Sequence, residues 1–296
     1  EHIEECGIHS GDSACCWPPF SLSEKIVDQI RAITKKLALA CGIRGLLNIQ
    51  YAVRDEHVFV IELNPRASRT VPFSSKATGV SLAKFASRIM AGEKISELRA
   101  QGLLPDENRS VDYYAVKEAV MPWSRFPGAD SILGPEMKST GEVMGIARTF
   151  PAAYAKTREA VENKLPEQGS VFISVCDRDK RAIAPVAMAL ENLGYGIYTT
   201  GGTAKTLRAA GINCTIVNRI SDGHPNVVDL MRDKTVSFII NTPHGHEAHS
   251  DGTKMRAEAV SQGITCVTAM SAATALIQAL AAARKSQPET FALQDL

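Results

Sequence analysis

From residue 171 onward, short apolar runs alternate with helix-compatible stretches, and this rhythm restricts the fold more than any other feature of the chain. "VFISVC" (171–176), "GIYTT" (196–200), "CTIVN" (214–218), "VSFIIN" (236–241) and "TCVTA" (265–269) read as strands. Helices are expected over 179–193, from Gly201, over 226–233, near 252–262, and, last, from Ser271. Runs without polar alternation are buried on both faces. Five of them separated by helices therefore predict a parallel α/β sheet covered on each side.

The first half reads differently. "SLSEKIVDQIRAITKKLALACG" carries Ile26, Ile30, Ile33 and Leu37 on one helical face and Gly42 at its stop. Ser21 and Glu24 form a capping box, with Ser23 as a competing N-cap. "GLLNIQYAV" (45–53), the polar turn "RDEH" and "VFVIELN" (58–64) predict a hairpin, whose second strand begins like a buried one. A loop, a helix near 81–91, a strand over 111–120 and a mixed segment to about 150 follow. "NKLPEQGS" (163–170) has the composition of a linker, which divides the chain into 1–163 and 164–296. Two domains suit 296 residues at about 150 residues per domain.

Bulk properties exclude several classes. Net charge is +1, so no global field points to nucleic acid or an anionic membrane. No apolar run approaches the ~18 residues of a membrane span, and "EHIEEC" lacks a signal-peptide core. The chain opens on Glu1 rather than Met, as a processed chain or a piece of a longer one does. Seven cysteines, an odd number without a CxxC pair, read as small hydrophobes in a reducing cytoplasm.

Two places carry chemistry. The end of the second hairpin strand holds Glu62, Asn64, Arg66 and Arg69, with Gln50 expected opposite Glu62. Gln50, Glu62 and Asn64 offer oxygen ligands that suit a hard cation such as Mg²⁺ or Mn²⁺. Arg66 and Arg69 can hold a phosphoryl group or a carboxylate-like acceptor bidentately. A surface ion-pair cluster would have the same composition. The second place is "TTGGTAKTLRAAGI" (199–212), where Gly201 and Gly202 turn the backbone and Thr203 opens a helix whose free N–H groups favour an anion. A plain tight turn reads equally well from those residues alone. Strand ends should bring Lys180, Thr200, Thr203, Arg219, Asn241 and Thr242 to the same edge. The loop "PHGHEAH" (243–249) places His244, His246 and His249 in HxHxxH spacing; without acid or thiol support it reads as a loop rather than a zinc site.

"IELNPR" resembles the metal-binding strand of the ATP-grasp superfamily. The longer "IELNPRASRTVPFSSKATG", together with "HSGDSAC" (9–15), "RGLLNIQYAV" (44–53) and "GPEMKSTGEVMG" (134–145), resembles the large subunit of carbamoyl phosphate synthetase over essentially the whole chain. That family's large subunit is several times longer. The resemblance thus implies a C-terminal piece: the end of the second ATP-grasp unit, then a methylglyoxal-synthase-like allosteric domain. It implies an ATP-dependent ligase that phosphorylates carbamate with MgATP, for arginine and pyrimidine synthesis. Gln50, Glu62 and Asn64 would be metal ligands, and Arg66 and Arg69 would stabilise the phosphoryl group and bind carbamate. Ile8, His9 and Ser10 would sit near the nucleotide; a side chain that ties down a loop is an equal reading of His9.

The implied partners are a glutaminase small subunit, the rest of the large subunit, and nucleotide effectors such as UMP and IMP. Lys180, Thr200–Thr203, Arg219, Asn241 and Thr242 match the effector's phosphate and ribose contacts. Neither a glycine-rich flap nor the preceding ATP-phosphate lysine is found, so this chain alone is expected to be inactive. Glu4, Asp12, Glu118 and Thr268 match an ornithine site, but Cys266 stands where a tyrosine is expected, which counts against ornithine activation. A free-standing lyase acting on dihydroxyacetone phosphate, or another ATP-grasp ligase, are the alternatives.

Overall fold

The computed structural model describes the whole chain except residues 106–110, 162–165, 244–250, 286–288, 291 and 296. His244, His246, His249 and the expected 163/164 boundary thus lie outside the described residues. The chain divides into two compact units. One comprises Glu1, Cys16–Ala115 and Thr290–Leu296; the other comprises His2–Cys15 and Val116–Glu289. The chain crosses from one to the other inside two strands, β1 (Cys15–Trp17) and β4 (Tyr114–Val120).

In the first unit, α1 (Glu24–Ala40) is capped by Ser23, whose Oγ accepts from the Ile26 N–H at 3.4 Å. The competing N-cap therefore prevails over Ser21, whose hydroxyl instead donates to Glu1. Strands β2 (Asn48–Arg54) and β3 (His57–Asn64) form the expected antiparallel hairpin, with Arg54 opposite His57. Its two-residue turn puts Asp55 at φ 50° and Glu56 at φ 60°, the left-handed pair that matches strand twist. β3 is not the buried strand its apolar start suggests: Phe59, Val60 and Ile61 are 53%, 46% and 50% exposed. The hairpin is a two-stranded sheet, so its apolar residues gain little cover from neighbouring strands.

Helix α2 (Thr70–Thr78) occupies what the sequence suggests is loop, and α3 (Leu82–Met90) and α4 (Ile95–Ala100) follow. Val80, Phe85 and Leu98 form a small core there. In the second unit, β5 (Gly141–Ala147) lies beside β4, and α5 (Phe150–Ala160) packs on β5. Neither β5 nor α5 is anticipated from the sequence. The Thr149 hydroxyl caps α5 by accepting from the Ala152 N–H at 3.4 Å, and Pro151 occupies its first turn.

The sheet of the second unit has the expected five strands. They are β6 (Ser170–Ser174), β7 (Gly196–Thr199), β8 (Thr215–Ile216), β9 (Phe238–Asn241) and β10 (Thr265–Val267), in the order β10-β9-β6-β7-β8. Every pairing is parallel. The intervening helices are α6 (Lys180–Asn192), α7 (Gly201–Ala209), α8 (Val227–Arg232) and α9 (Asp251–Ser261), with α10 (Met270–Ala283) last. Phe172, Ile239, Met231, Met255 and Ala259 close one core of this layered sheet. Strand order reverses between β6 and β9, where Ser174 pairs with Asn241. That reversal opens a crevice at the carboxyl ends of the two strands.

Candidate functional site

The crevice at the reversal point is a cavity of about 530 Å³, within the usual size range of small-molecule sites. Its wall includes Lys180, Thr200, Gly202, Thr203, Arg219, Asn241 and Thr242, seven of the eight positions expected there. Gly201 opens α7 but is not part of the wall. A Cβ on Gly202 would lie 3.8 Å from Lys180 Nζ, so the ammonium stands at the amino end of α7. Thr200, the N-cap residue, makes no side-chain capping bond. The first N–H groups of α7 and one ammonium thus face the same space, the arrangement that favours a phosphate.

The remaining wall residues are held in place from behind. Thr203 Oγ1 accepts from the Val175 N–H at 3.4 Å, and Thr242 Oγ1 accepts from the Cys176 N–H at 3.1 Å. These two hydroxyls therefore shape the wall as well as face it. Asn241 Nδ2 donates to the Ser174 carbonyl at 3.0 Å, while its Oδ1 accepts from Arg256 Nη1 at 2.8 Å. Lys180 pairs with Asp177. Arg219 is exposed at the rim, before the single 3-10 turn 220–222.

Several wall residues escape a sequence reading: Cys176, Asp177, Asn218, Ser221, Asp251 and Arg256. Asp251 and Arg256 both belong to α9. Arg256 sits between apolar Met255 and Ala257 with no periodic signal that it is buried.

The hairpin of the first unit presents the other expected cluster. Gln50 and Glu62 are register partners, as are Asn48 and Asn64. Gln50 Nε2 donates to Glu62 Oε1 at 2.7 Å, and Asn64 Nδ2 donates to the same oxygen at 2.9 Å. The three side chains expected to act together do meet. Turning either amide about its last torsion exchanges N for O and brings its carbonyl oxygen to the same point. One carboxylate and two amide oxygens form a donor set that fits Mg²⁺ or Mn²⁺. Arg66 Nη1 donates to the Ala67 carbonyl at 3.0 Å, and Arg69 stands at the N-cap of α2.

Residues 8–13 belong to the second unit. His9 Nδ1 accepts from the Gly11 N–H at 3.0 Å, so the ring does tie down its own turn; its backbone N–H donates to the Gly134 carbonyl at 2.8 Å. Behind the turn, the wholly buried Lys117 donates to the Ser10 and Gly11 carbonyls, each at 3.3 Å.

The four residues matched to an ornithine site are divided among different partners. Both oxygens of Asp12 accept backbone N–H groups, from Lys138 at 2.8 Å and Ser139 at 2.9 Å. Glu118 pairs with Arg158 and accepts from Thr157 Oγ1 at 3.1 Å. Burial, and then the adjacent Glu118 carboxylate, push Glu4 up to about 7. Arg158 already engages the carboxylate that Glu118 could offer to a bound ammonium. Thr268 follows β10 and is half-buried; burial pushes the nearby Cys266 thiol up to about 12.

The ATP-binding domain of the carbamoyl-phosphate synthase L chain matches residues 2–98, and the MGS-like domain matches residues 182–268. The carbamoyl phosphate synthase large chain of Pseudomonas syringae pv. tomato is 48% identical over 100% of this chain, which covers 27% of that protein. The Pasteurella multocida large chain is 46% identical, also over 100% of this chain and 27% of its own length. A protein of Aquifex aeolicus described as the C-terminal section of the large chain is 45% identical over 98% of this chain and 56% of its own length. The chain thus spans about a quarter of the full-length relatives. With an α/β fold, a parallel five-stranded sheet and both matched domains in this order, the chain belongs to the family of carbamoyl phosphate synthase large chains.

Proposed function

We propose that these residues form the carbamate-phosphorylating and regulatory end of a carbamoyl phosphate synthase large chain. The complete protein would be an ATP-dependent ligase that works with a glutaminase small subunit and with the remainder of the large chain, in the cytoplasm. Glu62, Gln50 and Asn64 would hold Mg²⁺ or Mn²⁺, which would neutralise the charge of nucleotide phosphates. The chain's own contribution there is to fix three oxygen donors at one strand end and set Arg66 and Arg69 beyond it. Ile8, His9 and Ser10 would lie on the nucleotide side. Because the hairpin cluster is exposed to water, the 296 residues alone are proposed not to turn over ATP.

The function proposed for residues 164–296 is to bind a nucleoside monophosphate. The observation that carries it is the meeting of Lys180 with the amino end of α7 inside the cavity. The phosphate would sit on the Thr200–Thr203 turn, with Arg219 and Asn241 on the ribose or base side. Titration calorimetry of the 296-residue chain with UMP, IMP and the parent nucleosides tests this. Binding of the nucleotide with a much weaker nucleoside is expected. Equal affinity for both would rule out a phosphate site.

A further inference from the structure

The cavity wall is connected to the turn at residues 9–12 by an unbroken series of short polar contacts, all within the second unit. Its first link is Arg256, whose side chain is only 4% exposed. Nη1 of Arg256 donates to Asn241 Oδ1 in the cavity wall at 2.8 Å. Its Nε and Nη2 donate bidentately to Asp130 at 2.6 and 2.8 Å. Burial alone would raise the Asp130 carboxyl, but the bonds from Arg256 and from the Ile132 N–H outweigh it and hold it below its usual range.

From Asp130 the contacts run along residues 130–139. The Ile132 N–H donates to Asp130 Oδ1 at 3.0 Å, and Lys138 Nζ donates to the Ile132 carbonyl at 2.7 Å. The next two N–H groups, of Lys138 and Ser139, hold the Asp12 carboxylate, and Gly134 accepts from the His9 N–H. The segment is irregular from Asp130 to Ser139, so these side-chain bonds, rather than a helix or sheet ladder, fix its position. One guanidinium therefore sets both the orientation of a cavity residue and the anchor of this segment. Charge-assisted, bidentate bonds of this kind are the strong members of a polar network.

We propose that Arg256 is a positioning residue for Asn241 and the link through which occupancy of the cavity is felt at residues 9–12. A ligand that engages Asn241 restricts it, hence Arg256 and Asp130, and the ordering spreads along 130–139 to the Asp12 turn. This rests on the reading of the cavity as a nucleotide site. It identifies a physical route from that site to the turn assigned to the ATP side.

Hydrogen exchange of the 296-residue chain, with and without saturating UMP, tests the link. UMP should slow exchange about fivefold or more in peptides that cover 130–139 and 9–13, in the range of ordinary coupling. In Asp130→Asn, a residue outside the cavity wall, UMP affinity by calorimetry should stay within about threefold while that protection is lost. Arg256→Lys, which keeps the charge but not the bidentate fork, should weaken the protection likewise and serves if Asp130→Asn does not fold. UMP binding without any change at 130–139 and 9–13 in the wild-type chain would overturn the link and leave the pocket reading intact. So would protection that persists in Asp130→Asn. If UMP, IMP and inorganic phosphate all fail to bind, the pocket reading fails and the link falls with it.

Discussion

The hairpin cluster and the interior of the second unit use the same side-chain chemistry in opposite settings. At the hairpin, Glu62 gathers two amides around one oxygen on a strand whose apolar neighbours are themselves exposed. In the second unit, Lys180 and the amino end of α7 meet inside a cavity, and Glu4 and Glu118 are packed against Arg158. In the second setting burial, and then the Glu118 carboxylate, raise the Glu4 carboxyl, and the lower local dielectric strengthens the Glu118–Arg158 pair. A donor set can thus be complete in geometry while its chemistry still waits on whatever excludes water from it. The cavity walled by one sheet and its helices holds its own environment.

The largest expected effect tests the hairpin side. In a full-length large chain, Glu62→Ala should reduce carbamate-dependent ATP turnover below detection, because the one carboxylate of the donor set is lost. Thermal melting should hardly change, since the side chain is exposed at a strand end. Steady-state assays and melts on the same preparation check both. Normal carbamoyl phosphate synthesis in that variant would remove the hairpin from the active site.

Next comes the cavity. Lys180→Ala should weaken UMP or IMP binding by about 10- to 100-fold, since a charge-assisted contact is worth roughly 1.5–3 kcal/mol and each 1.4 kcal/mol is tenfold. Calorimetry at two salt concentrations would read it, with the loss larger at low salt. An unchanged affinity would mean that α7 and Lys180 do not meet the phosphate.

How much of this contrast could be read from the residues alone follows from what made each part regular. The parallel sheet was legible because "VFIS", "FII" and their neighbours are apolar on both faces, and because Gly201 and Gly202 mark a strand-to-helix turn. The hairpin was legible through its alternation and the pairing of Gln50 with Glu62. Burial was not: Phe59, Val60 and Ile61 look like core residues, yet a two-stranded sheet leaves them exposed. Helix α2 was hidden by Pro72 and by four Ser and Thr residues, which are compatible with turns as well as with a first helical turn. Arg256 and Asp130 lie 126 positions apart, and only the tertiary fold pairs them. For Glu4, Asp12 and Glu118, family resemblance supplies the positions, but nothing in the residue pattern signals that Arg158 and the 138–139 amides already occupy two of them.

The buried acids extend the comparison to pH. Glu4 titrates at about 7 in the folded protein against 4.5 as the ordinary value. Between those values the folded state binds the proton that the unfolded chain releases, so stability falls as pH rises through this window. The penalty is complete above pH 7 and absent below about 4.5. Glu4→Gln should therefore stabilise the chain by about 1–3 kcal/mol at pH 8 and have little effect at pH 4.5, as denaturant titrations at the two pH values would show. A Glu4→Gln gain that is the same at both pH values would mean that packing, not the charge, is responsible.

The smallest effect concerns how the cavity balances its own charges. Lys180 is paired with Asp177, whose side chain is 82% exposed, so an incoming phosphate must compete with that carboxylate for the ammonium. An exposed pair of this kind contributes little, and its removal leaves Lys180 inside the wall with α7 still facing it. Asp177→Asn should thus tighten UMP binding, but only by about two- to fivefold, with the gain fading as salt rises. The parent nucleoside should bind the variant and the wild-type chain equally, because it brings no anion to the Lys180 end. If Asp177→Asn instead weakens the nucleotide, Asp177 is a ligand contact or a necessary anchor for the Lys180 side chain. The phosphate would then have to be placed closer to Arg219.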